Sequence, residues 1–221
     1  VTLHWQNNAG ILYTLHLSVD RDYLFTIKSE VANHGQQTIT LKPYGYINRL
    51  GEGPDSSTYL NHVGPVGVLD DTLKEIKYKD LAKKEVDNFR STGGWIGITD
   101  HHWLAALIPD QKGVIDARFT PAGPNRTQVD FAQQAETLAP GATISDTSRL
   151  YAGAKEIPQL NKVMKNQHIA KFDLAISWGW LGFLAKPIAA LLHWLYGIFG
   201  NYALAIIGLT LIVRAFLYPI A

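Results

Sequence analysis

Hydrophobic and polar residues alternate with a period of two along much of the chain. Residues 11–19, 23–31 and 37–47 show this alternation most clearly. Because successive side chains of a strand point to opposite faces, the pattern predicts half-buried antiparallel strands. Turn-forming residues at 20–22 and 33–35 separate the three segments, so the pattern also predicts a meander of consecutive hairpins.

Shorter segments with strand-like patterns continue to about residue 153. They are residues 95–100, 102–109, 113–120, 127–133 and 143–153. Many short strands at close spacing are typical of an antiparallel β-sandwich, which we predict for residues 1–154. Residues 48–67 are rich in Gly, Pro, Ser and Asp and are predicted to form a loop, whereas residues 73–90 are predicted to be of mixed structure.

A helix is predicted to begin near Pro158, because proline is favoured in the first turn of a helix. Leu160, Val163 and Ile169 are expected to point from this helix towards the β domain. We therefore assign residues 155–171 to a helix that packs on the sandwich and to a linker.

The composition changes near residue 172. After Asp173 the only charged residues are Lys186 and Arg214, while aliphatic and aromatic residues dominate. Because tryptophan and tyrosine favour the headgroup depth of a bilayer, residues 172–200 are predicted to form an amphipathic helix region at the membrane interface. The alternative is a hairpin of buried core helices.

The interfacial region contains a proline that is expected to divide it into two helical pieces, because proline cannot donate to the helical hydrogen-bond ladder. The residues assigned to the interfacial helix are Trp178, Trp180, Lys186, Pro187 and Trp194.

Residues 201–221 form an almost entirely apolar segment. About 20 residues make a helix about 30 Å long, which matches a hydrocarbon core, so we predict one transmembrane helix here. Its only charged residue, Arg214, would need polar surroundings at this depth, although an arginine near a helix end can also extend to the cytoplasmic headgroups. Thr210 lies one turn earlier on the same face, and its hydroxyl can instead be satisfied by its own backbone.

The composition argues against several classes of function. The formal net charge is +1 and no basic stripe with interleaved aromatic residues occurs, so nucleic acid is not an expected partner. The absence of cysteine excludes disulfides, thiolate zinc sites and a cysteine nucleophile within this chain. Asp100, His101 and His102 are adjacent, but neighbouring strand residues point apart and no third ligand is indicated. We predict no catalytic residue, metal site or cofactor, and the chain is not expected to be an enzyme.

Two segments resemble a known family. The GGW-containing segment STGGWIGITDHHWLAALIP at residues 91–109, and the order of Trp-Gly-Trp, Lys-Pro and Leu-Ile-Val-Arg between residues 173 and 219, resemble YidC-type membrane-protein insertases. The resemblance implies a periplasmic β-sandwich of the mutarotase-like supersandwich type, an amphipathic helix on the periplasmic face and a membrane core of five helices. It further implies that Arg214 is the arginine of a hydrophilic, client-binding groove, and Thr210 is then a candidate to line the same side.

The resemblance implies an insertase and chaperone that helps client proteins enter and fold in the bacterial inner membrane, alone or with the Sec translocon. Clients, the translocon's accessory subunits and the lipid bilayer are the expected partners, and the β domain is expected in the periplasm. One alternative is a membrane-anchored sugar-binding or mutarotase-like domain, which needs a carboxylate and a histidine converging in a cleft. Another is an envelope scaffold that docks partner proteins. Against the family pattern the chain is expected to be a fragment, without the start of the β domain and without four core helices.

Overall fold

A computed structural model describes residues 1–51, 62–84, 86–123, 125–176 and 182–218. Contacts divide the chain into two units, Val1–Ile176 and Ser177–Ala221. All the described strands belong to the first unit, and the second unit contains two described helices.

The first unit consists mainly of antiparallel strands. In chain order the strands are β1 Thr2–Gln6, β2 Ile11–Val19, β3 Leu24–Asn33, β4 Ile39–Leu41, β5 Tyr44–Leu50, β6 Gly64–Leu69, β7 Thr72–Glu75, β8 Asp87–Thr92, β9 Trp95–Thr99, β10 Trp103–Ile108, β11 Val114–Pro121, β12 Arg126–Gln133, β13 Glu136–Leu138 and β14 Thr143–Ala154. The helices are α1 Tyr78–Leu81, α2 Ile157–Gln167, α3 Gly182–Phe199 and α4 Tyr202–Leu217, with a 3-10 turn at Phe172–Ala175.

The strands form two large sheets and one small one. The larger sheet has eight strands in the order β1-β2-β3-β14-β10-β9-β6-β7, the smaller has four in the order β5-β12-β11-β8, and β4 pairs with β13. A core between the two large sheets contains Ile96 and Ile98 from β9, Phe119 from β11 and Phe131 from β12. The prediction of a mainly β, antiparallel sandwich is therefore confirmed.

A second core covers the opposite face of the larger sheet. Leu160 and Val163 of α2 are buried there, next to the 3-10 turn. The Phe172 ring packs edge-on against Trp95 and Tyr151, with ring centroids 5.3 and 5.4 Å away. The central strands are thus covered on both faces, which explains why β6 and β9 are buried along their whole length instead of alternating.

The prediction of a meander is wrong beyond β3. The neighbour of β3 on its second side is β14, and residues 37–47 do not form one strand, because β4 and β5 belong to different sheets. Pro43 lies between them and has no N–H to donate to a ladder. The buried side chain of Asn33 helps to redirect the chain after β3 by donating to the carbonyls of Gln37 at 2.8 Å and Leu138 at 3.0 Å.

Candidate membrane-interaction site

The second unit is a helical hairpin with a short turn. The backbone N–H of Gly200 donates to the Tyr196 carbonyl at 2.8 Å, and Gly200 has a φ of +62°, a left-handed conformation that glycine adopts without strain. The Asn201 side chain then accepts from the N–H of Ala203 at 2.8 Å and caps the start of α4. Asparagine directly before an apolar run is the sequence signal for such a cap.

The two helices contact each other through a small set of side chains. Leu195 of α3 and Ala205 of α4 are buried. Gly208 allows close approach, because a Cβ built there would lie 3.3 Å from the Phe199 ring. This contact accounts for the few buried side chains among the described residues of the unit.

Much of the rest of the hairpin surface is apolar. Its exposed large hydrophobic side chains are Phe183, Leu184, Ile188, Trp194, Ile198, Phe199, Tyr202, Leu204, Ile206, Ile207, Leu211, Ile212, Phe216 and Tyr218. Soluble proteins rarely expose an apolar surface of this extent to water. Such a surface is suited to lipid or to further apolar protein.

Arg214 and Thr210 lie one turn apart on α4, and both are exposed. The Thr210 hydroxyl donates to the Ile206 carbonyl at 2.8 Å, so its proton is used within its own helix. The sequence from 174 to 221 contains no Asp or Glu. An acidic partner for Arg214 therefore has to come from another part of the protein or from another molecule.

The structure describes only some of the residues assigned to the interfacial helix. Trp178 and Trp180 lie outside the described residues, and for Lys186 only the backbone within α3 is described. Pro187 and Trp194 are both exposed on α3. The expectation that Pro187 divides the region is wrong for the described residues, because α3 continues through it. Pro187 is in the second turn, so the helix loses only the one hydrogen bond that its N–H would have donated to Phe183.

Helix α4 comprises 16 residues. Within the described parts of the chain, no helix is both long and apolar enough to qualify as a membrane-spanning segment. The transmembrane helix at residues 201–221 stays a prediction.

The first unit has a groove of about 520 Å³ at one end of the sandwich. Asp100 and Trp103 are among its lining residues, and Asp100 accepts a hydrogen bond from Arg49 at 2.9 Å. Burial raises the pKa of Asp100, but the hydrogen bonds from Arg49 and from the His101 N–H outweigh it and leave the pKa below its ordinary value. The carboxylate is therefore held ionised mainly by an arginine. No sequence signal linked Arg49 to Asp100, which are 51 residues apart.

His101 and His102 lie in the turn between β9 and β10. Their ring centroids are 6.4 Å apart. Residues 102–109 are predicted as one strand, whereas the observed strand begins at Trp103. Across the described residues no group of three or more His, Cys, Asp and Glu side chains could hold a metal ion.

Comparison with known proteins places these features in a family. Residues 1–191 match the family model described as the YidC periplasmic domain. The chain is 39% identical over 224 residues to a protein of Rhizobium etli named membrane protein insertase YidC, and the match covers all of this chain and 38% of that protein. A protein of the same name from Rickettsia felis is 35% identical over 225 residues, with 40% of its length covered. The chain thus spans about two fifths of the length of these relatives.

Solved structures share the fold of the first unit at low sequence identity. An α-galactosidase from Lactobacillus brevis matches with a TM-score of 0.53 and 10% identity, over 75% of this chain and 24% of that one. A GH36 α-galactosidase from Geobacillus stearothermophilus gives a TM-score of 0.54 and 10% identity, over 75% and 25%. These matches show the fold alone.

Fold and surface together define a β-sandwich unit followed by a helical unit with a largely apolar surface. The chain belongs to the YidC family, and its first 191 residues correspond to the periplasmic domain of that family.

Proposed function

We propose that this chain is part of an insertase and chaperone that helps membrane proteins enter and fold in the bacterial inner membrane. The β-sandwich unit then lies in the periplasm, and the helical unit lies in and on the bilayer. The observation that carries the proposal, beside family membership, is the hairpin surface, which is mostly apolar and contains the lone arginine of α4. No covalent chemistry, nucleotide, metal or cofactor is involved.

Helix α4 is proposed to be the main part of a transmembrane helix at residues 201–221, with Arg214 facing a water-containing groove. A charge at membrane depth costs a few kcal/mol on insertion scales, so polar surroundings or an acidic partner would offset that cost. Because residues 174–221 supply no acidic side chain, the partner we propose is the acidic or polar tail of a client. Attraction in a low-dielectric groove lowers the desolvation cost of bringing that tail partway across the bilayer.

Thr210 is proposed to line the same groove in a smaller role. Its proton is engaged by Ile206, so only the oxygen lone pairs remain to accept a hydrogen bond from water or from a client. We therefore assign Thr210 to the polarity of the groove wall and Arg214 to the recognition of negative charge.

Helix α3 is proposed to lie at headgroup depth on the periplasmic side, together with Trp178 and Trp180. Support comes from Trp194, which is 60% exposed, and from the apolar side chains that surround it on the helix surface. An indole ring has an apolar body and one N–H donor, so it is best satisfied at the boundary between lipid and water. Lys186 would extend from the same helix to the headgroups.

The partners we propose are client membrane proteins, lipid, and the Sec translocon with its accessory subunits. The apolar hairpin surface supports clients and lipid as partners. The translocon is expected from family resemblance, and docking of partner proteins by the β-sandwich unit is compatible with insertion.

The experiment that tests the groove replaces Arg214 in the full-length protein. Arg214→Ala should reduce insertion of clients with acidic translocated tails on the order of tenfold, as expected when about 1.4 kcal/mol of attraction is lost. Arg214→Lys should retain most insertion, because a mobile tail offers no fixed bidentate partner, and Arg214→Glu should be worse than alanine. Clients with neutral tails serve as the control and should be less affected. Equal insertion of acidic-tailed clients by Arg214→Ala and wild type, at matched expression and topology, would reject the groove role.

A further inference from the structure

The outer face of the smaller sheet carries two rows of side chains that run across its four strands. Strand pairing aligns the first row as Tyr46, Asp130, Arg118 and Asn88, and the second as Tyr44, Ala132, Asp116 and Arg90. These side chains point away from the core, because their strand neighbours Ile47, Ala117 and Phe131 pack in it. Each row therefore has an aromatic ring at its β5 end and a polar side chain at its β8 end.

The first row is hydrogen-bonded within itself. The side chain of Asp130 is only 7% exposed, and it accepts a hydrogen bond from Nε of Arg118 at 2.8 Å, while a second guanidinium nitrogen lies 2.7 Å away. Gln128 donates to the other oxygen of Asp130 at 3.1 Å. Both carboxylate oxygens thus have donors, so this row is a fixed and electrically balanced wall.

The second row is looser. Lys42 Nζ and a guanidinium nitrogen of Arg90 each lie 3.9 Å from the carboxylate of Asp116. These separations are too long for hydrogen bonds, so neither contact uses the N–H donors or the carboxylate lone pairs. The small side chain of Ala132 leaves space beside Asp116. A depression of about 490 Å³ results, within the size range of ligand sites, and its lining includes Lys42, Asn88, Arg90, Asp116, Arg118 and Ala132.

Two tyrosines flank the depression at its β5 end. Tyr44 lies directly opposite Ala132, and Tyr46 follows on the same face of β5. The two side chains are 70% and 55% exposed, and their rings are nearly parallel, with an interplanar angle of 5° and centroids 6.5 Å apart. The face of an aromatic ring is negative, so it attracts the polarised C–H groups on the flat side of a sugar ring.

We propose that this face binds a saccharide that carries a carboxylate. A sugar ring stacks on Tyr44, its hydroxyls bond to Asn88 and Asp116, and its carboxylate pairs with Lys42 and Arg90. Charge favours an acidic ligand, because the first row contains one carboxylate and one guanidinium that neutralise each other. The second row with its neighbouring lysine contains two cations and one carboxylate. One ligand carboxylate balances the difference.

A peptide fits this depression less well. Peptide recognition by strand addition needs a free sheet edge, whereas the depression spans β11, whose backbone already pairs with β8 on one side and β12 on the other. Adjacent sugar hydroxyls also suit carboxylate, amide and guanidinium groups, which present two polar atoms side by side. The proposal goes beyond membrane insertion and does not depend on Arg214, so either role can fail without the other.

The test uses the full-length protein in lipid nanodiscs, which avoid sugar-based detergents. The probe is trigalacturonic acid, and its trimethyl ester is the neutral control with the same sugar rings. A trimer is chosen because each row covers three interstrand spacings, about 14 Å. Titration calorimetry should show saturable binding of the acid and weaker binding of the ester.

Substitutions assign the binding to this face. Tyr44→Ala should weaken binding of the acid about tenfold, because the stacking ring is lost. Combined Lys42→Gln and Arg90→Gln should remove the preference for the acid over the ester. Tyr23→Ala is the matched control and should bind like wild type, since Tyr23 is 55% exposed in the turn between β2 and β3 of the larger sheet.

The proposal is overturned if trigalacturonic acid shows no saturable binding at millimolar concentrations. Equal binding by Tyr44→Ala and wild type would also reject it, because the ring would then not contact the ligand. Hexaglutamate that binds as tightly as the saccharide would show a general anion surface or an acidic peptide as the occupant, and would reject the saccharide.

Discussion

The two units of this chain treat the same side chain in opposite ways. Phe119 and Phe172 are buried in the β-sandwich unit, whereas Phe183 and Phe216 of the helical unit are 77% and 78% exposed. Charged residues are concentrated in the first unit, since Lys186 and Arg214 are the only charged residues after Asp173. The first unit removes two clusters of apolar side chains from water by its own folding. The second does so only through contact with something else, and the bilayer is what we propose.

This difference explains why one physical rule cannot identify both units. In water, an apolar residue indicates an interior, and the period of the pattern identifies the strand or helix. In lipid, an apolar residue indicates an exterior, and the rare charge becomes the informative residue. Arg214 is conspicuous on α4 for the same reason that Phe172 would be conspicuous on the surface of the sandwich.

The largest expected effect on stability comes from one of two matched phenylalanine-to-alanine substitutions, one in each unit. Phe172→Ala should lower the free energy of unfolding of the β-sandwich unit by about 3–5 kcal/mol, because it empties a buried site beside Trp95 and Tyr151. Phe216→Ala removes the same ring from an exposed position and should change that free energy by less than about 0.5 kcal/mol. Urea unfolding followed by tryptophan fluorescence measures both. Equal losses would show that the two units do not differ in this way.

The depth of α3 should differ from that of a spanning helix. Single cysteines at Leu184 and Trp194, labelled with a fluorophore in reconstituted full-length protein, should both be quenched best by groups near the headgroups. Both side chains are exposed on α3, so the label does not displace a packed residue. A signal near the bilayer midplane at either position would contradict an interfacial helix.

A smaller effect is expected from Asp100, which lines the groove of the β-sandwich unit. Burial raises the pKa of Asp100, but the Arg49 hydrogen bond, with that of the His101 N–H, leaves it below the ordinary 3.8. A carboxyl with a lowered folded-state pKa contributes stability that is present above its unfolded pKa and is lost as the pH falls through the folded value. Asp100→Asn should therefore reduce the loss of unfolding free energy at acid pH, by about 1 kcal/mol or less. Asp71→Asn, at an exposed ion pair, is the control for loss of one carboxylate, and its effect on stability should be smaller.

The smallest effect, on client insertion, is expected from deletion of most of the β-sandwich unit. Removing much of residues 1–150 from the full-length protein should leave client insertion close to wild type, because the features assigned to insertion all lie after residue 172. Growth and insertion assays at matched protein levels measure this. Complete loss of insertion with normal amounts of protein would show that the β-sandwich unit takes part directly.

The local pattern predicted several elements well. The alternation at residues 11–19 corresponds to β2 over its full length. The one-turn spacing of Thr210 and Arg214 places them together on α4, as helical geometry requires. The break at residues 200–201 also follows from local chemistry, because glycine and asparagine end one helix and begin the next.

Pairing and burial on both faces depended on the tertiary structure. Thr143 of β14 lies opposite Ala32 of β3, and Arg49 reaches Asp100, because the fold closes long stretches of chain that carry no local signal of their partner. β9 is buried on both faces only because α2 and the 3-10 turn cover the side opposite the smaller sheet. By itself the sequence determined the period of each segment and the change of composition near residue 172, since both are properties of neighbouring residues. The tertiary structure decided which strands pair and which faces are buried. The reason is that many apolar surfaces, distant from each other in sequence, compete for the same core.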